Sequence, residues 1–415
     1  MWNRFLDRML RHLISEGTLD IVWPDGRRVR YGDGSGPKAR VTLTTPNIVK
    51  DLSLRPIMAL GEGYTDGSLE IPEHQLFDLL TLLARNEQRG GMPAWFRGYS
   101  YMRGAVGRWL QRNTPLTSRR NVSHHYDLSE EFYRLFLDRD MQYSCAYFKD
   151  PGMSLDAAQA AKKAHIASKL RLAPGLRVLD IGCGWGGMAL TLAREHGVHV
   201  TGVTLSRSQL ETAQARARAE GLSEMTDFRL MDYRELTERF DRIVSVGMLE
   251  HVGLPQFPTY FAKVSDLLTR DGLALIHTIG RTAPPRPTSP WLERHIFPGG
   301  YVPSLSDLAR PMESANLWLA DLEVLRGHYG PTLHHWRDRF EANVKTVRAM
   351  HDDRFVRLWR FYLVACEMAF EEQQQAVFQL QLSKQQHTVP RTRDYLYSQP
   401  AQATSQVADR SLQSA

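Results

Sequence analysis

Cysteine is scarce in this chain of 415 residues. Cys145, Cys183 and Cys366 lie far apart, and no C-x-x-C spacing links them, which excludes a zinc knuckle, a redox dithiol and a disulfide framework. Free thiols are the expectation, and no metal site is expected. Long apolar runs are missing as well. None approaches the roughly 18 to 20 residues that cross a bilayer. The opening MWNRFLDRMLRHLI is broken by charges where a secretory signal needs a continuous apolar core, so a cytoplasmic protein is expected. No internal repeat is visible. An apolar fraction of 42% beside 24% charged residues is that of an ordinary folded protein, which excludes wholesale disorder, collagen and coiled coil.

Acids are nearly absent from one stretch. Residues 85–120 hold eight arginines (Arg85, Arg89, Arg97, Arg103, Arg108, Arg112, Arg119, Arg120) against Glu87, a net +7 where the whole chain sums to +6, so everything else together carries −1. Gly90, Gly91, Gly98, Gly104 and Gly107 alternate there with Trp95, Phe96, Tyr99, Tyr101 and Trp109, a composition suited to a mobile linker. The segment either meets an anionic partner or folds back over acidic helices of its own chain.

Residues 1–84 read as a small separate domain. An opening helix carries Trp2, Phe5, Leu6, Met9, Leu10, Leu13 and Ile14 on one face, short strands follow at LDIVWP and RVTLTT, and HQLFDLLTLLAR closes it. After the arginine-rich segment 85–120, residues 121–397 alternate strands and helices, the signature of an α/β, doubly wound, mostly parallel sheet. RVLDIG, HVTGVTL, MTDFRLMD, DRIVSVG and LALIHTIG are the strands; GGMALTLAREH, SRSQLETAQARARAEG and QFPTYFAKVSDLL are the helices. Beyond residue 330 two long helices are expected, TLHHWRDRFEANVKTVRAM and a second from RFVRLWRFYLVAC through QLQLSK. Residues 398–415 are small and polar, so a disordered tail is the default.

The run Asp180-Ile181-Gly182-Cys183-Gly184-Trp185-Gly186-Gly187 stands between a strand and a helix, where glycines permit a tight turn and let a ligand approach the backbone. Spaced as G-x-G-x-x-G it would suit a dinucleotide, but the second strand ends Gly202-Val203-Thr204-Leu205-Ser206 without the acid that holds a nicotinamide ribose. The acid stands instead just before the first glycine, at Asp180. That order resembles the S-adenosylmethionine site of class I methyltransferases, and Asp232-Tyr233 at the end of the third strand fits the adenine side.

Other motifs are narrower. HHYDLSEEFYRLFLD (124–138), QYSCAYF (142–148), GVTLSRSQ, GMLEHVG (247–253), IHTIGR, IFPGGYVPS and YLVAC (362–366) follow the order found in cyclopropane-fatty-acyl-phospholipid synthases, and over roughly 121–385 the chain resembles that family. The resemblance implies a class I methyltransferase Rossmann-like doubly wound sheet with a small N-terminal domain. It implies S-adenosylmethionine and a bicarbonate ion as cofactors, and methylene transfer to the cis double bond of unsaturated phospholipid acyl chains. It also implies a homodimer, placed peripherally on the anionic inner face of the membrane by its small domains.

That chemistry has stated needs. An isolated alkene is a poor nucleophile, and accepting a methyl cation creates a carbocation that water would quench, so the site must be dry. Aromatic faces soften the charge, and a base must remove a proton from the transferred methyl before the ring can close. By resemblance, the bicarbonate site is Glu250, His277, Ile279, Tyr329 and Cys145, with Glu250 accepting the proton. The cofactor set is Tyr143, Ser144, Asp180, Gly182, Cys183, Gly184, Gly186, Thr204, Leu205, Ser206, Gln209, Asp232 and Tyr233. Cys366 matches a cysteine once offered as a nucleophile, but Phe361, Tyr362, Leu363, Val364 and Phe370 surround it in sequence without a base, which reads as an inert buried thiol. Two departures bear on lipid fit: His295 stands where a tyrosine is common, and Gly330-Pro331 follows Tyr329.

Three alternatives remain at this level. One keeps the same cation but loses a different proton, giving a methyl-branched unsaturated chain. Another is an RNA methyltransferase served by the arginine and aromatic stretch, against which no D/N-P-P-Y motif occurs and no nucleic acid is expected. The third is a non-catalytic lipid-binding module. For the arginine segment the expected outcome is concrete. Replacing Arg103, Arg108 and Arg112 by glutamine should weaken binding to anionic vesicles by about 1 kcal/mol per residue while S-adenosylmethionine binding is kept; unchanged vesicle affinity would assign the charge to internal pairing.

Overall fold

The computed structural model describes residues 1–91 and 128–397. The arginines from Arg97 to Arg120 and the residues from 398 onward lie outside them. Among the described residues no helix is long and apolar enough to cross a membrane.

The N-terminal unit starts with α1 (Trp2–Leu13), whose Leu6, Leu10 and Leu13 are buried. It packs with a four-stranded sheet of β1 (Thr18–Val22), β2 (Arg28–Tyr31), β3 (Lys38–Leu43) and β4 (Leu69–Glu70), in the order β2-β1-β3-β4. Helices α2 (Pro46–Leu54) and α3 (Pro56–Asp66) each open on a proline, a position where the missing N–H costs nothing, and α3 stops at Gly67 with φ 84°. In α4 (Leu76–Asn86) the terminal Asn86 is buried. Its Oδ1 accepts the Ser15 and Glu16 N–H groups at 2.9 and 3.1 Å, and its Nδ2 donates to the Glu16 carbonyl at 2.9 Å, which ties the end of α1 to α4.

The start of the stretch read as a linker is helical: Glu87–Gly91 prolongs α4 by a wider turn. Its first arginines are partnered within the chain, Arg85 with Glu372 at 2.6 Å and Arg89 with Glu16.

The second unit contains α5 (Glu130–Arg134), α6 (Leu155–Leu170), β5 (Arg177–Ile181), α7 (Gly187–His196), β6 (His199–Thr204), α8 (Arg207–Ala219), β7 (Thr226–Leu230), β8 (Phe240–Val246), α9 (Phe257–Leu267) and β9 (Leu268–Arg281). It continues through α10 (Pro290–His295), α11 (Leu305–Ser314), β10 (Trp318–Leu325), α12 (Tyr329–Ala342), α13 (Val344–Met350), α14 (Asp353–Glu372) and β11 (Gln375–Ser383). The seven-stranded sheet runs β10-β11-β9-β8-β5-β6-β7; the five strands from β9 to β7 are parallel, and β11 is antiparallel to both its neighbours. The chain order reverses between β5 and β8, which opens a crevice above their carboxyl ends.

The last helix expected from the sequence does not reach QLQLSK. It ends at Glu372, the chain turns through Gln374 at φ 57°, and QAVFQLQLS is the strand β11. The physical reason is that Gln379 and Gln381 are wholly buried and hydrogen-bonded, so the polar residues along this segment do not mark a solvent face. The helix before it also breaks, at Asn343, whose Nδ2 turns inward to the Leu135 carbonyl at 3.0 Å.

Helix α14 joins the two units. Arg357 donates to the Tyr64 carbonyl at 2.5 Å and lies over the Tyr64 ring. Arg360, 5% exposed, forms two bonds to Glu341 at 2.5 and 2.7 Å and reaches Glu73 of the small domain at 2.7 Å. Removing one member of such a cluster strands the others, although both carboxylates are partly solvated. Arg360→Leu should therefore cost about 2 kcal/mol in chemical unfolding; a change under about 0.5 kcal/mol would show that the cluster contributes little.

Candidate active site

Two cavities adjoin at the crevice. The smaller, of about 150 Å³, lies over the first βα turn. Tyr143, Ser144, Asp180, Gly182, Cys183 and Gly184 line one side, and Thr204, Leu205, Gln209, Asp232 and Tyr233 line the other. Backbone N–H groups of Gly182 and Cys183 both donate to the Val203 carbonyl at 3.0 Å, fixing the turn to β6. Gly184, at φ 54°, has nothing within 4 Å of where a side chain would stand, so its backbone is open to a ligand.

Gly186 and Ser206 do not line this cavity. Gly186 starts α7 at φ 84° with Ala213 and Phe228 against it, and Ser206 caps α8 by accepting the Gln209 N–H. Their parts are conformational.

Electrostatics separate the two acids. Asp232 is matched by Arg234 through bonds of 2.8 and 2.6 Å. Asp180 is 2% exposed, burial raises its pKa to about 7 against the opposing pull of Lys162, and Oδ2 has no partner among the described residues. A buried acceptor left unmatched is costly. Asp180 and the open Gly184 backbone fit the amino-acid end of S-adenosylmethionine, which brings N–H donors and a positive charge.

The larger cavity, of about 460 Å³, brings together Glu250, His277, Ile279, Tyr329, Cys145 and Cys366. Tyr143, Ser144, Gly247 and His251 line both cavities and form the wall between them. Glu250 stands on the 3₁₀ turn Leu249–His251 just after β8. Its Oε1 accepts the Ile279 N–H at 2.5 Å, so that N–H is committed to the carboxylate; Oε2 is buried and has no partner among the described residues. Burial pushes the Glu250 pKa up to about 7.

His277 lies on β9, and burial, reinforced by Lys162 and Lys169, holds its pKa well below the usual imidazole value. It is neutral at pH 7, and its tautomer follows from its neighbours. The Lys169 ammonium can only donate, and it does so to Gln379 Oε1 at 2.7 Å. The Gln379 amide nitrogen therefore faces His277 Nδ1, 3.1 Å away, and donates to it. The ring proton stays on Nε2. Glu323 anchors the far end, bonded to Lys169 and, at 2.6 Å, to His165.

Burial raises the Cys366 thiol to about 12 and the Cys145 thiol further, so neither is a thiolate. Aromatic faces surround the polar end: Tyr329 lies 4.4 Å from Phe370, and the Tyr143 and Tyr362 hydroxyls meet at 2.7 Å.

Four participants were not assigned from the sequence. Lys162 is buried under the dividing wall, donating to Gln142 Oε1 at 2.6 Å and Ser144 Oγ at 2.8 Å, and burial lowers its pKa to about 8. Gln379, His251 and Tyr362 are the others. The only signal was a polar residue inside an otherwise packed pattern, as in AAKKAHIASKL, and that does not distinguish an inward lysine from a solvated one.

A seven-stranded sheet in this order, with an acid and a glycine turn ending its first parallel strand, defines a class I S-adenosylmethionine-dependent methyltransferase. The model of the mycolic acid cyclopropane synthetase family matches residues 113–380, and the chain belongs to that family. Residues 5–89 match a domain of unknown function, DUF7884. The chain is 38% identical over 356 residues to the cyclopropane-fatty-acyl-phospholipid synthase of Escherichia coli K12, covering 85% of this chain and 89% of that protein. It is 35% identical over 393 residues to a probable fatty acid methyltransferase of Pseudomonas putida, covering 89% and 96%. The crystal structure of the mycolic acid cyclopropane synthase CmaA1 complexed with SAH and CTAB superposes with a TM-score of 0.61 at 32% identity, over 64% of this chain and 97% of that one.

The relay to His277 gives a spectroscopic expectation. ¹⁵N shifts of labelled histidine should show His277 neutral and protonated on Nε2 at pH 7, and Gln379→Leu should abolish that preference. A mixed or Nδ1-protonated signal in the parent protein would contradict the relay.

Proposed function

We propose that this enzyme transfers a methylene group from S-adenosylmethionine to the cis double bond of unsaturated phospholipid acyl chains, with bicarbonate as the proton acceptor under Glu250. The observation that carries the reading is Glu250 itself: a buried carboxylate with one oxygen bound by Ile279 and the other buried, in an apolar cavity next to His251, which also lines the pocket over the glycine turn.

In balanced form, the alkene π pair bonds one alkene carbon to the sulfonium methyl as the methyl–sulfur bond breaks and its pair leaves with S-adenosylhomocysteine, so the other alkene carbon is left a cation. A proton then leaves the transferred methyl, and its bonding pair closes the ring. Bicarbonate, when bound, supplies a small base that the cation does not readily alkylate. The chain's own residues do the rest. The donor Nε2–H assigned to His277 and the backbone around Cys145 suit a small oxyanion. Glu250, deprotonated, orients it and takes up the proton. The aromatic faces of Tyr143, Tyr329 and Phe370 soften the cation, and the largely apolar lining disfavours water beside it.

The alternative product, a methyl-branched unsaturated chain, is favoured by the likeness to a probable fatty acid methyltransferase. Ring closure is supported by the position of Glu250, which adjoins His251, a residue lining both cavities, and so stands close to the cofactor side of the larger one. Docking of a homodimer on the anionic inner face of the membrane belongs to the same reading, with phospholipid and no nucleic acid as partner.

Incubation with S-adenosylmethionine and vesicles of unsaturated anionic phospholipid should yield lipid with cyclopropane ring protons in its NMR spectrum; retained olefinic signals with a new methyl group would support branching instead. Because Glu250 must be ionised to accept a proton, kcat/KM should rise with pH and level off above about 7. Glu250→Gln should lose about 10²- to 10⁴-fold in kcat, and full activity of that variant at ordinary bicarbonate would refute the assignment.

A further inference from the structure

The domain matched only to a family of unknown function supplies much of the wall of the catalytic cavity. From the polar end at Glu250 and His277 the same cavity continues past Trp291 and Phe361, whose rings meet at 4.7 Å, and on among the helices and the sheet of the small domain. It is lined there by Leu6 and Leu10 of α1, Ile21 of β1, Val41 of β3, and Leu80 and Leu83 of α4. Every small-domain residue on this wall is aliphatic except Glu87, which stands 3.9 Å from Arg286.

Three observations decide what such a space can hold. Its aliphatic lining offers a ligand no hydrogen bond, so the occupant of that part is hydrocarbon. A domain of this size has little core to spare, and interiors are normally filled to crystal density, so a cavity through its middle has a use. The charged residues of the wall are Glu250, Arg281, Arg286 and Glu87, three of them from the second unit, whereas the small domain contributes aliphatic side chains up to Glu87 at the end of α4, so a chain with one polar terminus finds its polar partners on the catalytic side.

We propose that the small N-terminal domain is the receptacle for the acyl chain: the segment from the reacting double bond to the terminal methyl lies between α1, α4 and the sheet of that domain. This rests on the lipid-modifying reading above and deepens it, because it makes the domain the determinant of how much chain is accepted beyond the double bond. Leu10 and Leu80 are then specificity-determining residues.

The test uses the full chain and phosphatidylglycerol vesicles carrying myristoleoyl, palmitoleoyl or oleoyl chains, which share the head group and double-bond position but differ in the length beyond it. Leu10→Trp and Leu80→Trp should shift the ratio of kcat/KM for the shortest over the longest chain by about 10-fold or more, with S-adenosylmethionine affinity unchanged. Ratios identical to the parent's would overturn the proposal. A second measurement needs no variant: a phospholipid with a diazirine at the terminal methyl, photolysed on the parent protein, should label residues of α1, α4, β1 or β3. Labels confined to the second unit would overturn it. If the parent converts none of the three lipids, the underlying reading falls and this proposal with it; if it converts them and the ratios and labels disagree with expectation, only the receptacle falls.

Discussion

A buried carboxylate whose hydrogen bonds only partly replace its lost solvation sets the terms for this molecule. Glu250 has lost the solvation that would keep it a strong acid, and hydrogen bonds from the Ile279 N–H, its own backbone and Thr278 do not replace it, so its pKa rises to about 7. Such a group is costly to keep. It remains because the backbone around it is fixed twice: Glu250 O accepts the Tyr301 N–H at 2.9 Å, and the Gly247 N–H bonds the His277 carbonyl at 2.9 Å, joining the turn to β9. Glu250, His277 and Gly247 of the dividing wall are consequently tied together at the ends of β8 and β9.

The antiparallel strand β11 has a chemical consequence beyond completing the sheet. Its register places Gln379 opposite His277, and α6 brings Lys169 against the same glutamine. A lysine that is 1% exposed would ordinarily be unfavourable; here Glu323 matches its charge and Gln379 Oε1 accepts a further hydrogen bond from it. The cost of burying this line of polar groups is offset by a histidine whose acceptor and donor sides are set before any ligand arrives, which is the form of preorganisation that makes electrostatic assistance effective.

The parallel strands and the glycine turn were legible because their signals are local: an apolar run, an acid, then glycines needed at φ 79° and 54°. Glu250 and His277 were legible through motif resemblance, since nothing in either residue's own surroundings distinguishes it from a helix-start acid or a core histidine. What could not be read was tertiary. QAVFQLQLS joins smoothly to a helical pattern, and only the space beside β9 makes it a strand. Lys162, Lys169 and Gln379 have the composition of surface residues and are buried because partners from distant segments meet them. Ser206 matched a motif position, but its hydroxyl is spent on a helix cap.

The comparison with a solved relative separates what the chemistry needs from what this chain adds. That structure is matched over 97% of its length by 64% of this chain, so the catalytic unit alone suffices to define the fold class. The added unit is not loosely appended. Arg360 of α14 ties it down through Glu73, and Arg85 ties α4 to Glu372 at the C-terminal end of the same helix, so α14 is held to the small domain at two points along its length. Tyr362, Cys366 and Phe370 of this helix line the same cavity as Glu250, and both units contribute to its wall. The apolar surroundings of Glu250 are thus a property of the junction between the two units rather than of either one.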